Sequence, residues 1–266
     1  MSAPHGDLSA ELHAVHQVHQ SGELLVLVPS RLRPHTVIDL ADACAETCTA
    51  NTWLAWCLDD TPDPMAYHEA AWDAAEIYPN LIMVESSTRR GLVGTLNHYA
   101  SQAAAPFVAG GHSPYAIGYL GDDHRPKTVG WDAAYLAALH ELGTGIVYGD
   151  DEHQGAKLPT QMAMTADIVR TLGYLAPPEL WHMYCDNFWK DLGEGAGCLT
   201  YLPEVTVTHR HPGAGRGSWD ASYRETNAAE RYAADQAAYR RYRRARLAHD
   251  IAAVAALRAQ HDQDVR

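Results

Sequence analysis

"YAIGYLGDDHRP" (residues 115–126) runs an apolar strand straight into two carboxylates and an imidazole, Asp122, Asp123 and His124. Working outward, "ELLVLVPS" (23–30), "TWLAWCLDD" (52–60), "LIMVES" (81–86) and "GIVYGD" (145–150) are runs of the same kind. They are nearly continuous in apolar character, the pattern of parallel strands covered on both faces. Between them, "HTVIDLADACAETC", "GLVGTLNHYASQAA" and "WDAAYLAALHELG" carry apolar residues at helical spacing. The alternation predicts an α/β class: a mostly parallel sheet flanked by helices. A later run, "LTYLPEVTVTHRH" (199–211), reads as a strand or a hairpin. From about Ser218 the composition turns to Ala, Arg and Tyr, which predicts one long helix or two. The expected organisation is a polar segment over 1–22, an α/β domain over 23–215 and an Arg-rich helical extension over 216–266.

The 266 residues are 47% hydrophobic, enough for a substantial core. No window approaches eighteen uncharged apolar residues, so no membrane span or membrane partner is expected. The His-rich start, "MSAPHGDLSAELHAVHQVHQSG", lacks the apolar centre of a signal peptide, and the expected location is the cytoplasm. Five cysteines, of which Cys44 and Cys48 sit four apart with no second close pair, read as free thiols in a reducing compartment. The net charge of −13 is uneven: residues 210–266 hold 11 of 20 Lys/Arg and 7 of 33 Asp/Glu. The first 209 residues therefore repel polyanions, and only the tail offers a basic surface.

In an open parallel sheet, ligands bind at the carboxyl ends of the strands. Here those ends carry Pro29-Ser30-Arg31, Asp59-Asp60, Glu85, Asp122-Asp123-His124 and Asp150-Asp151. Acidic groups converging on one rim repel each other unless a cation neutralises them, which points to a divalent metal holding phosphate oxygens. Taken alone, "GDDH" reads equally as a strand-ending turn. G-x-G-x-x-G after the first strand, the P-loop and the G-x-S-x-G elbow are all absent, which removes three common α/β chemistries.

The order of the remaining motifs resembles a GT-A-fold glycosyltransferase of the family 2 type. The resemblance rests on "LVPSRLRP", the "LDD" after the second strand, "GDDH", "MAMTADIVRTLGYLAPPELWHMYCDNFWKDLGE" and "VTVTHRH", and spans roughly residues 23–215. More narrowly, the chain resembles small DNA-modifying glycosyltransferases encoded by actinobacterial phages, which would put it in the cytoplasm of a host cell. The resemblance implies a nucleotide-sugar donor such as a UDP-sugar, and Mn2+ or Mg2+. It implies Pro29, Ser30, Arg31, Asp59, Arg90, Asn97 and Asp122 on the donor side. Asp123 would ligate the metal, with His124, His209 or His211 as further ligands. Asp186 would stand where the family has its catalytic carboxylate; its other reading is a helix cap. One departure is that Gly121 occupies the first position of the family's Asp-x-Asp. The other frame, Asp122-x-His124, resembles the metal motif of GalNAc-transferring enzymes, and "CDNF" echoes their Glu-Asn pair. Metal ligands and stereochemistry both stay open.

On the acceptor side, Trp181 and Trp189 are candidates for stacking, with core packing as the alternative. Arg240, Arg241, Arg243 and Arg244, interleaved with tyrosines, would grip phosphates. With the phage-type resemblance, that favours double-stranded DNA carrying 5-hydroxymethylated pyrimidines as acceptor. A solvated helix face is the plainer reading. A protein or small-molecule acceptor, or a non-catalytic nucleotide-sugar-binding module, are the alternatives.

Overall fold

The first apolar run becomes a central strand. The computed structural model describes residues 23–86, 88–105 and 113–264, so the expected segment 1–22 lies outside the described residues. In chain order the elements begin with β1 (Leu24–Ser30), α1 (Thr36–Thr47), β2 (Thr52–Asp59), α2 (Pro64–Ile77), β3 (Leu81–Ser86) and α3 (Gly91–Ala104). Next come β4 (Ala116–Tyr119), β5 (His124–Pro126), α4 (Trp131–Leu142), β6 (Ile146–Asp150), β7 (Met162–Thr165) and α5 (Ala166–Leu172). The chain continues through α6 (Cys185–Gly195), β8 (Leu199–His209), α7 (Ala221–Thr226), α8 (Ala229–Ala245) and α9 (Leu247–Asp264). Among the described residues, no helix is long and apolar enough to cross a membrane.

The strands form one sheet in the order β3-β2-β1-β4-β7-β6-β8-β5. β1 pairs in parallel with β2 and β4, β2 with β3, and β6 with β8. β7 pairs antiparallel with both β4 and β6, so every strand expected before residue 150 runs in one direction. The α/β expectation is borne out, and "LTYLPEVTVTH" is one eleven-residue strand rather than a hairpin. Two strands were not foreseen. β7 is only "MAMT", too short and too poor in β-branched residues to stand out. β5 is "HRP", polar and three residues long, extended because it pairs with β8.

Alternation along β1 divides the core between the sheet's two faces. Leu24, Val26 and Val28 pack with Val37 and Leu40 of α1, Tyr67 of α2 and Trp131 of α4. Leu25 and Leu27 share the opposite cluster with Val93 and Leu96 of α3, Ile168 of α5 and Phe188 of α6. Burying each such side chain contributes about 1.5–3 kcal/mol. Ala238, Tyr239 and Tyr242 of α8 and Val254 of α9 belong to that second cluster. The tail's tyrosines at 239 and 242 therefore face the core; they are not interleaved with the arginines on the surface, because their i, i+3 spacing puts them on α8's inner side.

Candidate active site

The cleft opens where β1, β2 and β4 end, at the carboxyl edge of the sheet. It has a volume of about 450 Å³ and is walled by Pro29, Ser30 and Arg31, by Asp122, Asp123 and His124, and by Trp181–Asp186 and His209. Its floor is made by register. β5 and β8 pair antiparallel with His124 opposite His209, which stacks the two imidazoles with centroids 4.3 Å apart. Asp123, immediately before β5, reaches both: Oδ1 is 3.6 Å from His124 Nδ1, and Oδ2 is 3.4 Å from His209 Nε2.

The acidic rim expected from the sequence is mostly neutralised from within. Both Asp59 oxygens accept backbone N–H groups that open α3, from Arg90 at 2.6 Å and Gly91 at 3.0 Å. Asp122 accepts from Ser30 Oγ at 2.6 Å and Arg33 Nη1 at 2.9 Å. Asp151 accepts three backbone N–H groups, from His153, Gln154 and Gly155, and the Thr160 hydroxyl. Glu85 leaves the rim altogether and pairs with His68. Asp123 alone faces only imidazoles and one phenol, the hydroxyl of Tyr223, which donates to Oδ2.

Electrostatics mark the same place. Burial, reinforced by the charge of His209, pushes His124 down to about 3. Burial also opposes a charge on His209, but Asp123 and Asp151 outweigh it and raise that ring to about 9. Burial raises the Asp122 carboxyl despite Arg33. Asp123, though buried, is held well below the usual carboxylate range by His209 and His124.

The donor set fits a borderline divalent ion. Asp123, His124 and His209 each offer one ligand atom, all within 4.8 Å of one another. His124 Nε2 is buried without a hydrogen-bond partner, and His209 Nδ1, also without one, has Asp151 Oδ2 3.8 Å away. The space between is kept by Gly121, where an added Cβ would lie 2.6 Å from Asp123 Oδ1 and 2.8 Å from His124 Nδ1. That accounts for glycine at the position the sequence motif would give to an aspartate. Asp122 is turned away to Ser30 and Arg33, and it is His124 whose ring nitrogens lie with Asp123 and His209. His211 stands outside the trio: its Nδ1 accepts from Gly213 N at 2.9 Å, and its ring stacks on His153.

Across the cleft, Asp186 opens α6 and accepts from Asn187 N at 2.8 Å. Its carboxyl is pushed up by burial. The loop before it is set by α8: Asp235, 3% exposed, accepts the N–H groups of Trp181, His182 and Met183 at 2.8–2.9 Å. Trp181 lies against Gly91, where a Cβ would be 2.6 Å from its ring, and carries Arg231 at 4.9 Å on the ring face.

Several expected residues serve elsewhere. Asn97 is bound to the backbone of Leu175 and Ala176, which holds that turn and keeps the amide out of the cleft lining. Arg90 gives its N–H to Asp59 and its Nε to Ser86; it is Arg89 that lines the cleft. Trp189 is 1% exposed and donates to Leu175 O, so it packs as floor and offers no free stacking face. Arg240, Arg241, Arg243 and Arg244 are exposed on α8, with Arg243 paired to Asp191. Sequence reading missed Arg33, two positions after Arg31 and legible as a second cation in "PSRLRP", and Tyr223 and Asp235, which no local motif announces.

No protein-family model and no curated protein matches the sequence. Solved structures do. A mannosyltransferase from Pyrobaculum calidifontis, in complex with GDP-Man and Mn2+, superposes with a TM-score of 0.56 at 14% identity, over 94% of this chain and 83% of that one. S. aureus TarS 1-349 in complex with UDP-GlcNAc gives 0.55 at 13% identity, over 80% and 70%. The chain spans 36% of the longer TarS chain. GalNAc-T7 with UDP, GalNAc and Mn2+ gives 0.52 at 10% identity, over 71% and 44%. The fold is that of the GT-A glycosyltransferases.

Proposed function

We propose that this chain is a divalent-cation-dependent glycosyltransferase that moves a hexosyl group from a UDP-sugar to an acceptor hydroxyl. The observation that carries this is one cleft at the strands' carboxyl ends holding the Asp123–His124–His209 trio together with a half-buried carboxyl, Asp186. The mannosyltransferase and GalNAc-T7 structures, which hold Mn2+ with a nucleotide or nucleotide-sugar, support it. Asp123, His124 and His209 would hold the cation, which would supply positive charge to neutralise the donor diphosphate. Pro29, Ser30 and Arg31 wall the nucleotide side. In an inverting transfer, Asp186 accepts the proton of the acceptor hydroxyl; the acceptor oxygen bonds to the anomeric carbon as its bond to the β-phosphate breaks. Burial raises the carboxyl toward the pH at which it works as a base.

The acceptor we favour is a 5-hydroxymethylated pyrimidine, hydroxymethylcytosine in phage DNA, with the protein acting in the host cytoplasm. Its support is the exposed face of α8, where Arg240, Arg241 and Arg244 take part in no ion pair among the described residues. Residues 23–215 then form the catalytic domain and 216–266 an extension whose α8 serves the acceptor.

Release of UDP from UDP-sugars with Mn2+ or Mg2+ tests the chemistry, and Asp123→Ala is expected to abolish it. No release from any donor, with the variant indistinguishable from the parent, overturns the reading. Mass spectrometry of nucleosides from hydroxymethylcytosine DNA tests the acceptor; unmodified nucleosides from an active preparation remove DNA.

A further inference from the structure

Among the described residues, three guanidiniums line the cleft, those of Arg31, Arg33 and Arg89, and internal carboxylates occupy all of them. Arg33 gives Nη1 to Asp122 and its Nε–Nη2 fork to Asp220, at 2.7 and 2.8 Å. Arg31 and Arg89 both bind Glu225, at 3.2 and 2.5 Å. Asp220 and Glu225 lie on one strap, residues 218–227, whose Tyr223 also donates to Asp123 and lies 4.5 Å beneath the Arg33 guanidinium.

The strap is held by charge more than by core. α7 contributes no buried residue, and Trp219 beside it is 50% exposed. Segments with few buried apolar contacts open at low cost. A paired fork to one carboxylate has the geometry of a paired fork to one phosphate, and two further arginines sharing a second carboxylate match a second phosphate. The surrounding body is acidic, so these arginines are the cleft's main attraction for an anionic ligand.

We infer that Arg31, Arg33 and Arg89 form a diphosphate subsite, and that the strap closes it with Asp220 and Glu225 until a nucleoside diphosphate exchanges with them. The inference rests on the donor reading above. In the exchange Arg33 keeps Asp122 through Nη1 and turns its fork to phosphate, and Tyr223 leaves Asp123 with its strap. No covalent bond changes.

Inorganic pyrophosphate separates this inference from turnover, since it carries neither base nor sugar. Its affinity for the full chain is measured by calorimetry for the parent, for Asp220→Asn with Glu225→Gln, and for Arg89→Gln. Removing the internal competitors is expected to tighten binding about tenfold, by raising the fraction of open subsite. Arg89→Gln is expected to weaken it about fivefold. Hydrogen exchange of residues 218–227 in the parent, which needs no variant to fold, is expected to rise at saturating pyrophosphate. Equal affinities in all three proteins, no binding by any of them, or unchanged or slowed exchange in the strap overturns the inference. Tightened pyrophosphate binding without UDP release from any donor leaves the subsite standing and removes the glycosyltransferase reading. UDP release with parental affinities in both variants does the reverse.

Discussion

A single methyl group at position 121 would lie 2.6 Å from Asp123 Oδ1 and 2.8 Å from His124 Nδ1. Gly121→Ala is therefore expected to cut cation-stimulated UDP release on the order of 10²-fold, the loss that misplacement by about an ångström produces. Thermal unfolding of the variant should stay close to the parent, since the clash is local to the cleft. His182 makes a different prediction. Burial pushes its ring down to about 4, so between that value and the ordinary 6.5 the unfolded chain binds more protons than the folded one. Its contribution to stability is complete above pH 6.5 and is lost as pH falls toward 4. Urea unfolding of His182→Gln should show an acid limb flatter than the parent's by roughly 1–3 kcal/mol across that window. Equal slopes would show that the ring does not titrate with folding. The trio was legible because "GDDH" and "VTVTHRH" each carry their chemistry within a few residues. Arg33 and Tyr223 were not, because what assigns them are partners 89 and 100 positions away in sequence.

At the scale of elements, the cleft's two walls are each hung from a buried carboxylate. Asp59 on β2 fixes the start of α3, and Asp235 on α8 fixes the loop that leads to Asp186. Asp235→Ala leaves three amides without their acceptor and is expected to cost about 1–3 kcal/mol in denaturant unfolding. Turnover should fall with it, while pyrophosphate affinity, which depends on the other wall, should hold. Strand identity was readable where apolar runs were long, as in β1 to β3. β5 exists because β8 offers it an edge, and that pairing, invisible in "HRP", is what sets His124 against His209.

Over the whole molecule, an acidic body carries a basic helix face. If that face holds DNA, Arg240, Arg241 and Arg244 each neutralise a phosphate. The slope of log affinity against log salt should then shrink by about 0.9 for each one changed to alanine. A triple variant with the parent's slope would place the nucleic acid elsewhere or exclude it. The sheet and its helices could be read from the alternation of runs. The depth to which α8 and α9 enter the core could not, because "RYAADQAAYRRYRRA" is polar enough to read as solvated, and its inward residues emerge only against Phe188 and Tyr174. That burial has a consequence in time. A chain emerging from the ribosome completes β1 to β8 well before Asp235 is available, so it can form the sheet while the amides of 181–183 still lack their acceptor. Nascent chains stalled before residue 235 should show a protected β1 and an unprotected 181–183 loop, so the wall that carries Asp186 acquires its shape only after the sheet has formed.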